Sequence, residues 1–330
     1  MHVLQDSVMK IALSGRPLAT SGRTLLELLV AMVIGLVIMG AALAIYSSTT
    51  SSSRSSEAAA RLNENATITL GVLQQQLRLG GYSSIVGSPT YTVRKNFTGP
   101  GIRGCTGGFS GSSATATFAS IACNDDATKS DALVVRYEAD NSNTNPVGTP
   151  LTPSNCVSQG ITATTASEAT STLAGAAVLP NYTLADNRYY IQTVGTPSGG
   201  PELYCTGSTG LAGSVAYSSP VPIMEGVERM QVTYGVAASA TGTITTAYMS
   251  AQAIDTAYPT DTNRWNRVIS ARICLQVRST DTSDKTSVST LSTTNKYYDC
   301  ANTQQTSTDG RLRRTYTSTV LLKNKIPLQQ

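Results

Sequence analysis

Beyond His2 the chain contains no histidine. That absence removes Ser-His-Asp and Cys-His nucleophilic mechanisms, and histidine-ligated metals, from the functions open to it. Charge is also scarce, at 13% of residues, and the positive excess is only +4. So light a charge gives no general field for binding a polyanion. None of the six cysteines falls in a Cys-x-x-Cys pair, which argues against thiolates gathered at zinc-ligand spacing. The glycine-rich stretch 104–113 lacks the Lys-Ser/Thr ending and the following helix of a phosphate loop, and reads as a flexible loop. No catalytic, cofactor-binding or metal-binding residue is assigned, no cofactor is expected, and the chain is not read as an enzyme. A signal-anchored periplasmic enzyme is the reading these absences set aside.

What the sequence does have is one long apolar run. From 24 to 46 it is Leu, Val, Ile, Met, Ala and Gly almost without interruption, and Glu27 is its only charged residue. At about 1.5 Å per helical residue, about twenty such residues cross a bilayer core of about 30 Å. A carboxylate in that setting is costly unless it meets a partner, which makes Glu27 a functional residue by default. The residues before the run carry Lys10 and Arg16 and end in Ser21-Gly22. In an ordinary signal peptide the small-residue cleavage site follows the apolar run; here it precedes it. A cut after Gly22 keeps the apolar helix on the mature chain, with Arg23 first and Glu27 fifth. Lys10, Arg16 and Arg23 lie before the run, and no charge follows it until Arg54. The positive-inside bias therefore puts the N-terminus in the cytoplasm and the bulk of the chain across the membrane.

The order Gly22, Glu27, apolar helix resembles the class III signal of type IV prepilins and type II secretion pseudopilins. One departure is Arg23, where that family usually has Phe or Met. The resemblance implies cleavage between Gly22 and Arg23 by a prepilin peptidase, followed by methylation of the new amine. It also implies an assembly charge pair, in which Glu27 meets the terminal amine of Arg23 on a neighbouring subunit.

Periodicity resumes after a Ser/Thr run at 47–56. Ala58, Leu62, Ala66, Leu70, Leu73 and Leu77 recur at three- and four-residue steps, and Gly80-Gly81 ends the pattern. One helix over about 24–79 is predicted, apolar first and amphipathic second. Beyond it, β-like runs at 132–137, 189–194, 202–205, 230–236, 268–278 and 315–322 stand between Gly-, Ser-, Thr- and Asn-rich loops. In 268–278 the parity of Ile269, Ile273, Leu275 and Val277 is the better core face. Helix first and strands after is an α+β order.

Three segments sharpen the resemblance to the PilW family of minor pilins: Pro222-Ile-Met-Glu-Gly-Val-Glu-Arg-Met, Trp265-Asn-Arg-Val-Ile-Ser-Ala-Arg-Ile-Cys, and Asp309-Gly-Arg-Leu-Arg-Arg-Thr-Tyr. What the resemblance implies is a type IV pilin-like α+β fold, a long N-terminal helix packed on an antiparallel β-sheet head with loop insertions. Its parts are a leader at 1–22, a transmembrane half-helix at 23–46, a periplasmic amphipathic helix at 47–81 and a β-rich head at 82–330. The stretch 83–220 is read as insertions on the head. The implied partners are other minor and major pilins, the prepilin peptidase, the inner-membrane assembly platform, and the membrane itself through 24–46. The implied role is a minor pilin that helps prime and cap the type IV pilus from the inner membrane; the alternative is a minor pseudopilin of type II secretion.

Cys105, Cys123, Cys156, Cys205, Cys274 and Cys300 all lie on the translocated side. An even count in an oxidising compartment reads as three disulfides. Fifteen connectivities are open, and pairing between sequence neighbours is preferred. The eight residues 124–131 offer oxygens to calcium, but their spacing misses the calcium-loop pattern, and a solvated turn is expected. Arg311, Arg313, Arg314, Lys323 and Lys325 form the densest basic cluster, read as one exposed strand face; nucleic-acid binding is not expected.

Overall fold

The computed structural model describes residues 24–86, 94–97, 99–163, 181–193, 200–210, 216–280, 295–307 and 309–325. In chain order its elements are α1 (Leu25–Leu79), β1 (Ile85–Val86), β2 (Arg94–Lys95), β3 (Ile102–Cys105), β4 (Ala132–Glu138) and β5 (Leu184–Thr193). There follow β6 (Pro201–Gly210), β7 (Ala216–Tyr217), β8 (Val221–Glu225), β9 (Val227–Ala237), β10 (Thr245–Met249) and α2 (Ala251–Ala257). The last are β11 (Val268–Arg278), β12 (Asn295–Tyr298), β13 (Gln304–Ser307) and β14 (Arg313–Leu321). The fold is α+β, a long apolar N-terminal helix followed by antiparallel sheets. By internal contacts the chain divides into two units, Met1–Ser52 and Ser53–Gln330.

The start and the end of α1 each have a local cause. The Thr24 carbonyl accepts from the N–H groups of Glu27 and Leu28 at 3.0 and 3.3 Å. Gly81, at φ 76°, takes the left-handed conformation that ends helices and that a Cβ disfavours. Across the Ser/Thr run the helix persists although these residues compete for backbone bonds. Thr49 and Thr50 each donate at 2.8 Å to the carbonyl four residues back.

Within the second unit, α1 buries Leu62, Ala66, Thr69, Leu73 and Leu77. The expected stripe is corrected at two points. Ala58 and Leu70 are only half-buried, and Thr69 takes a core position instead. Steps of four, three, four and four follow the 3.6-residue turn more closely than a stripe that includes Leu70. Thr69 is admitted because its hydroxyl is satisfied within the helix, donating to the Asn65 carbonyl at 2.6 Å.

Two sheets flank this core. One has the order β10-β9-β11-β14; the other runs β3-β4-β5-β6, with β7 and β8 both pairing to the far edge of β6. The buried side chains of α1 join one cluster with Leu133, Val135 and Tyr137 of β4, Met230, Val232 and Tyr234 of β9, and Ile273, Leu275 and Val277 of β11. β3 approaches β9 closely. A Cβ on Gly104 would lie 2.2 Å from the Tyr234 hydroxyl, so the contact requires glycine.

Two further expectations are overturned. The stretch 83–220 is not a set of insertions: it supplies β3 to β7, most of a six-stranded sheet, with every residue of β4 buried. And the parity in β11 breaks at its start, where the register shifts between Val268 and Ser270. The irregularity puts Val268 in the main core with Ala271, Ile273, Leu275 and Val277, and leaves Ile269 out of that cluster.

Disulfides join Cys105 to Cys123, Cys156 to Cys205 and Cys274 to Cys300. The third ties central strand β11 to the turn between β12 and β13. Each such crosslink contributes about 2–4 kcal/mol by restricting the unfolded chain.

Candidate functional site: an exposed apolar helix with one carboxylate

The most unusual surface of the protein is the first half of α1. Leu25, Met39 and Tyr46 are 83%, 66% and 71% exposed, and Leu29, Val33, Leu36 and Leu43 are exposed with them. Large apolar side chains this open, and this contiguous, mark a surface that another molecule covers. The helix is long and apolar enough to cross a membrane.

Glu27 sits in the first turn of α1, where its acidic group favours the positive end of the helix dipole. Thr24 and Glu27 have the spacing of a capping box, and the Glu27 N–H lies 3.4 Å from the Thr24 hydroxyl oxygen. From Leu25 to Ser53 the sequence holds no cation. A countercharge for Glu27 must therefore come from elsewhere. Gly22 and Arg23, the expected cleavage site and amine, lie outside the described residues.

Among its described residues the head contains no comparable exposed chemistry. The expected basic strand face is corrected: Arg313 is turned inward, its side chain 8% exposed, between Glu228 and Asp309, each at 2.7 Å. Arg311 donates to the Ser279 carbonyl at 2.8 Å and to the Thr280 carbonyl, and Arg314 donates to Asn63 of α1 at 3.1 Å. The hydrogen bond from Arg313 holds the Asp309 carboxyl far below its ordinary value, against its partial burial. Burial pushes the Glu228 carboxyl up, but bonds from Arg313 and Gln276 outweigh it and the net direction is down. Ion pairing across β9, β14 and the turn before β14 thus takes up much of the positive charge that the sequence suggested was free.

Several oxygens of 124–131 are likewise engaged within the protein. Asp126 accepts from the Thr128 N–H at 2.9 Å and its hydroxyl at 2.6 Å. Asp131 is buried, not solvated, and accepts from Gly107 at 3.0 Å and from Val232 of β9 at 2.9 Å. The segment is a brace between a loop and β9.

A buried ionic cluster escaped sequence reasoning. Arg188 of β5 is fully buried and donates to Asp186 at 2.9 and 3.2 Å, and to the carbonyls of Ser113 and Ala114 at 3.1 Å. Arg136 of β4 lies 3.6 Å from the same carboxylate and stacks over Phe118 at 4.4 Å. Tyr217 donates to Asp186 at 3.1 Å, and burial, with that carboxylate beside it, pushes its hydroxyl well above the ordinary value. The signal available in sequence was an Asp and an Arg two apart, which a strand places on one face.

The comparisons with known proteins bear on the head. Residues 188–324 match the family PilW, Type IV Pilus-assembly protein W. The PilW match begins within β5, takes in β6 through β14, and leaves α1 outside it. No curated protein matches the chain. Among solved structures, a type IV-like pilin from Thermus thermophilus is similar over 81% of this chain and 98% of that one, at 13% identity and a TM-score of 0.35.

Proposed function

We propose that the chain is a minor pilin, a subunit that works by packing and recognition and carries out no reaction of its own. The observation that carries the reading is the exposed apolar half of α1 with Glu27 as its single charge; the PilW match of the head supports it. In this reading a prepilin peptidase cuts after Gly22, and the helix 24–46 holds the subunit in the inner membrane with the head in the periplasm. The free amine of Arg23, which titrates near about 8 in water, is mostly protonated at neutral pH. Glu27 of an incoming subunit meets such an amine on its neighbour. In a low-dielectric setting that pair fixes axial register, and removing one member leaves a charge uncompensated. The subunit joins other minor pilins, and then major pilins, in a complex on the assembly platform that primes the pilus.

Two measurements test this. Mass analysis of the membrane-extracted protein gives a chain beginning at Arg23 when the peptidase is present and at Met1 when it is deleted. A chain beginning downstream of Tyr46 in the wild-type cell overturns the reading. A Glu27→Ala strain retains the protein in the membrane but loses its incorporation into sheared pili; normal incorporation counts against the charge pair. Loss of secretion with piliation intact, in a strain deleted for the protein, reassigns it to a type II secretion pseudopilin.

A further inference from the structure

Sheet edges are dangerous, because unpaired backbone groups recruit other strands, and proteins blunt them with short strands, bulges, prolines or charges. Among the described residues, the head follows that rule at all its larger edges but one. β3 is four residues long, and β7 is two. β8 contains Pro222 and a register shift against β6. β10 is five residues long with a register shift of its own, and α2 follows two residues after it.

β14 is the exception. It is nine residues long, and its register with β11 runs from Arg313 to Leu321 without a shift. Among the described residues no strand pairs with its other edge. From Thr315 to Leu321 it reads Thr-Tyr-Thr-Ser-Thr-Val-Leu, a β-prone run without charge or proline. Tyr316 and Ser318 meet Asn63 and Gln74 of α1, so one face is occupied. Thr317 and Thr319 are exposed, and Leu321 is 48% exposed. Exposed cations stand at both ends of the strand, Arg314 and Lys323.

We infer that the open edge of β14 is a strand-addition site. Its occupant is an extended segment of another polypeptide, uncharged in the middle and acidic at both ends. Backbone bonding along the edge supplies affinity in this mode of recognition, and the flanking charges set the choice of partner. The charges also argue against a second copy of this chain. An antiparallel pairing of two β14 strands brings Arg314 toward Lys323, and a parallel pairing brings each cation to its own twin; like charges facing one another are unfavourable either way. This inference goes beyond assembly through α1, and its test leaves Glu27 untouched, so either can fail alone.

The test uses the full chain in detergent micelles and a capped synthetic peptide, Asp-Thr-Val-Thr-Val-Thr-Asp, with a twin carrying Lys at both ends. Hydrogen exchange of backbone amides is read by mass spectrometry. The acidic peptide slows exchange about tenfold, confined to fragments covering β14, and the Lys-ended twin does not. The double variant Thr317→Lys, Thr319→Lys keeps its melting temperature and loses the effect. Independently of how that variant folds, a peptide N-methylated at alternate residues fails to slow exchange in the wild type. Four results overturn the inference: no slowing at about millimolar peptide, equal slowing by both peptides, slowing that persists in the Lys variant, or slowing with the N-methylated peptide. Protection, without any peptide, of the β14 amides that face away from β11 overturns it too, because the edge is then covered by the chain itself or, where that protection rises with protein concentration, by a second copy.

Discussion

At the scale of single residues, two carboxylates in this chain carry consequences out of proportion to their number. Glu27 is open to its surroundings, and its partner is sought outside the helix that bears it. Asp186 is the opposite case: 1% exposed, it stands between Arg188 and Arg136, which are buried with it. Two guanidiniums share one carboxylate, and the remaining positive charge is met by backbone carbonyls and by the rings of Phe97 and Phe118. Removing the anion leaves both cations buried without it. Asp186→Asn is therefore expected to destabilise the head by about 3–5 kcal/mol, a cost of the size that follows from breaking one side of a buried pair. Thermal unfolding of the variant checks this; a loss below about 1 kcal/mol would show that the carbonyls and rings suffice.

At the scale of elements, α1 makes the clearest prediction. Leu73 is fully buried in the core, whereas Leu70, three residues before it, is half-buried at the edge of the stripe. Leu73→Ala costs roughly 2–5 kcal/mol through lost burial and the cavity left behind, and Leu70→Ala distinctly less. Equal losses at the two sites would mean that the stripe has been placed on the wrong side of the helix. A second element-scale prediction concerns acid. Asp309 and Glu228, which anchor Arg313 and so tie β14 to β9, are both held below their ordinary values of 3.8 and 4.5. A depressed carboxylate stabilises the fold above its unfolded pKa, and the contribution is lost as pH falls through the folded one. The urea midpoint is thus constant near about pH 6 and falls toward about pH 3, and Asp309→Asn and Glu228→Gln each flatten that fall. A midpoint whose acid limb is identical in all three proteins would exclude these groups as its cause.

The same elements show what was legible in sequence and what was not. The apolar half of α1, its amphipathic continuation and the core of β11 announce themselves through runs and periods of large aliphatic side chains. β5 does not: its first half reads Leu-Ala-Asp-Asn-Arg, and a strand whose charges are neutralised by β4, a loop and a tyrosine has no local signature. The irregularity at the start of β11 is invisible for a related reason, since register is a property of two strands together. Arg313 and Glu228 meet across 85 positions, so the cluster that looked basic along the chain is mixed in space. The three cysteine pairings lie between sequence neighbours, and that simplest choice coincides with the geometry of the sheets.

At the scale of the whole molecule, two sets of apolar residues serve different ends. The core that holds the sheets begins at Leu62 and lies inside the unit from Ser53 onward. The apolar residues of the first half of α1 belong to the other unit, and 25–46 are all exposed. If folding rests on the first set and anchoring on the second, the two properties separate. Residues 53–330, exported behind a cleavable signal so that the disulfides form, are expected to be soluble and monomeric. Ser53, the first residue of that fragment, supplies a side-chain oxygen for capping the new helix start, which limits fraying of its first turn. The melting temperature should stay within a few degrees of that of the full chain, while the full chain alone requires detergent. Because the three disulfides and the Asp186 cluster all lie within 53–330, oxidised head that aggregated or lost its cooperative transition would mean that the first half of α1 contributes to folding as well as to anchoring.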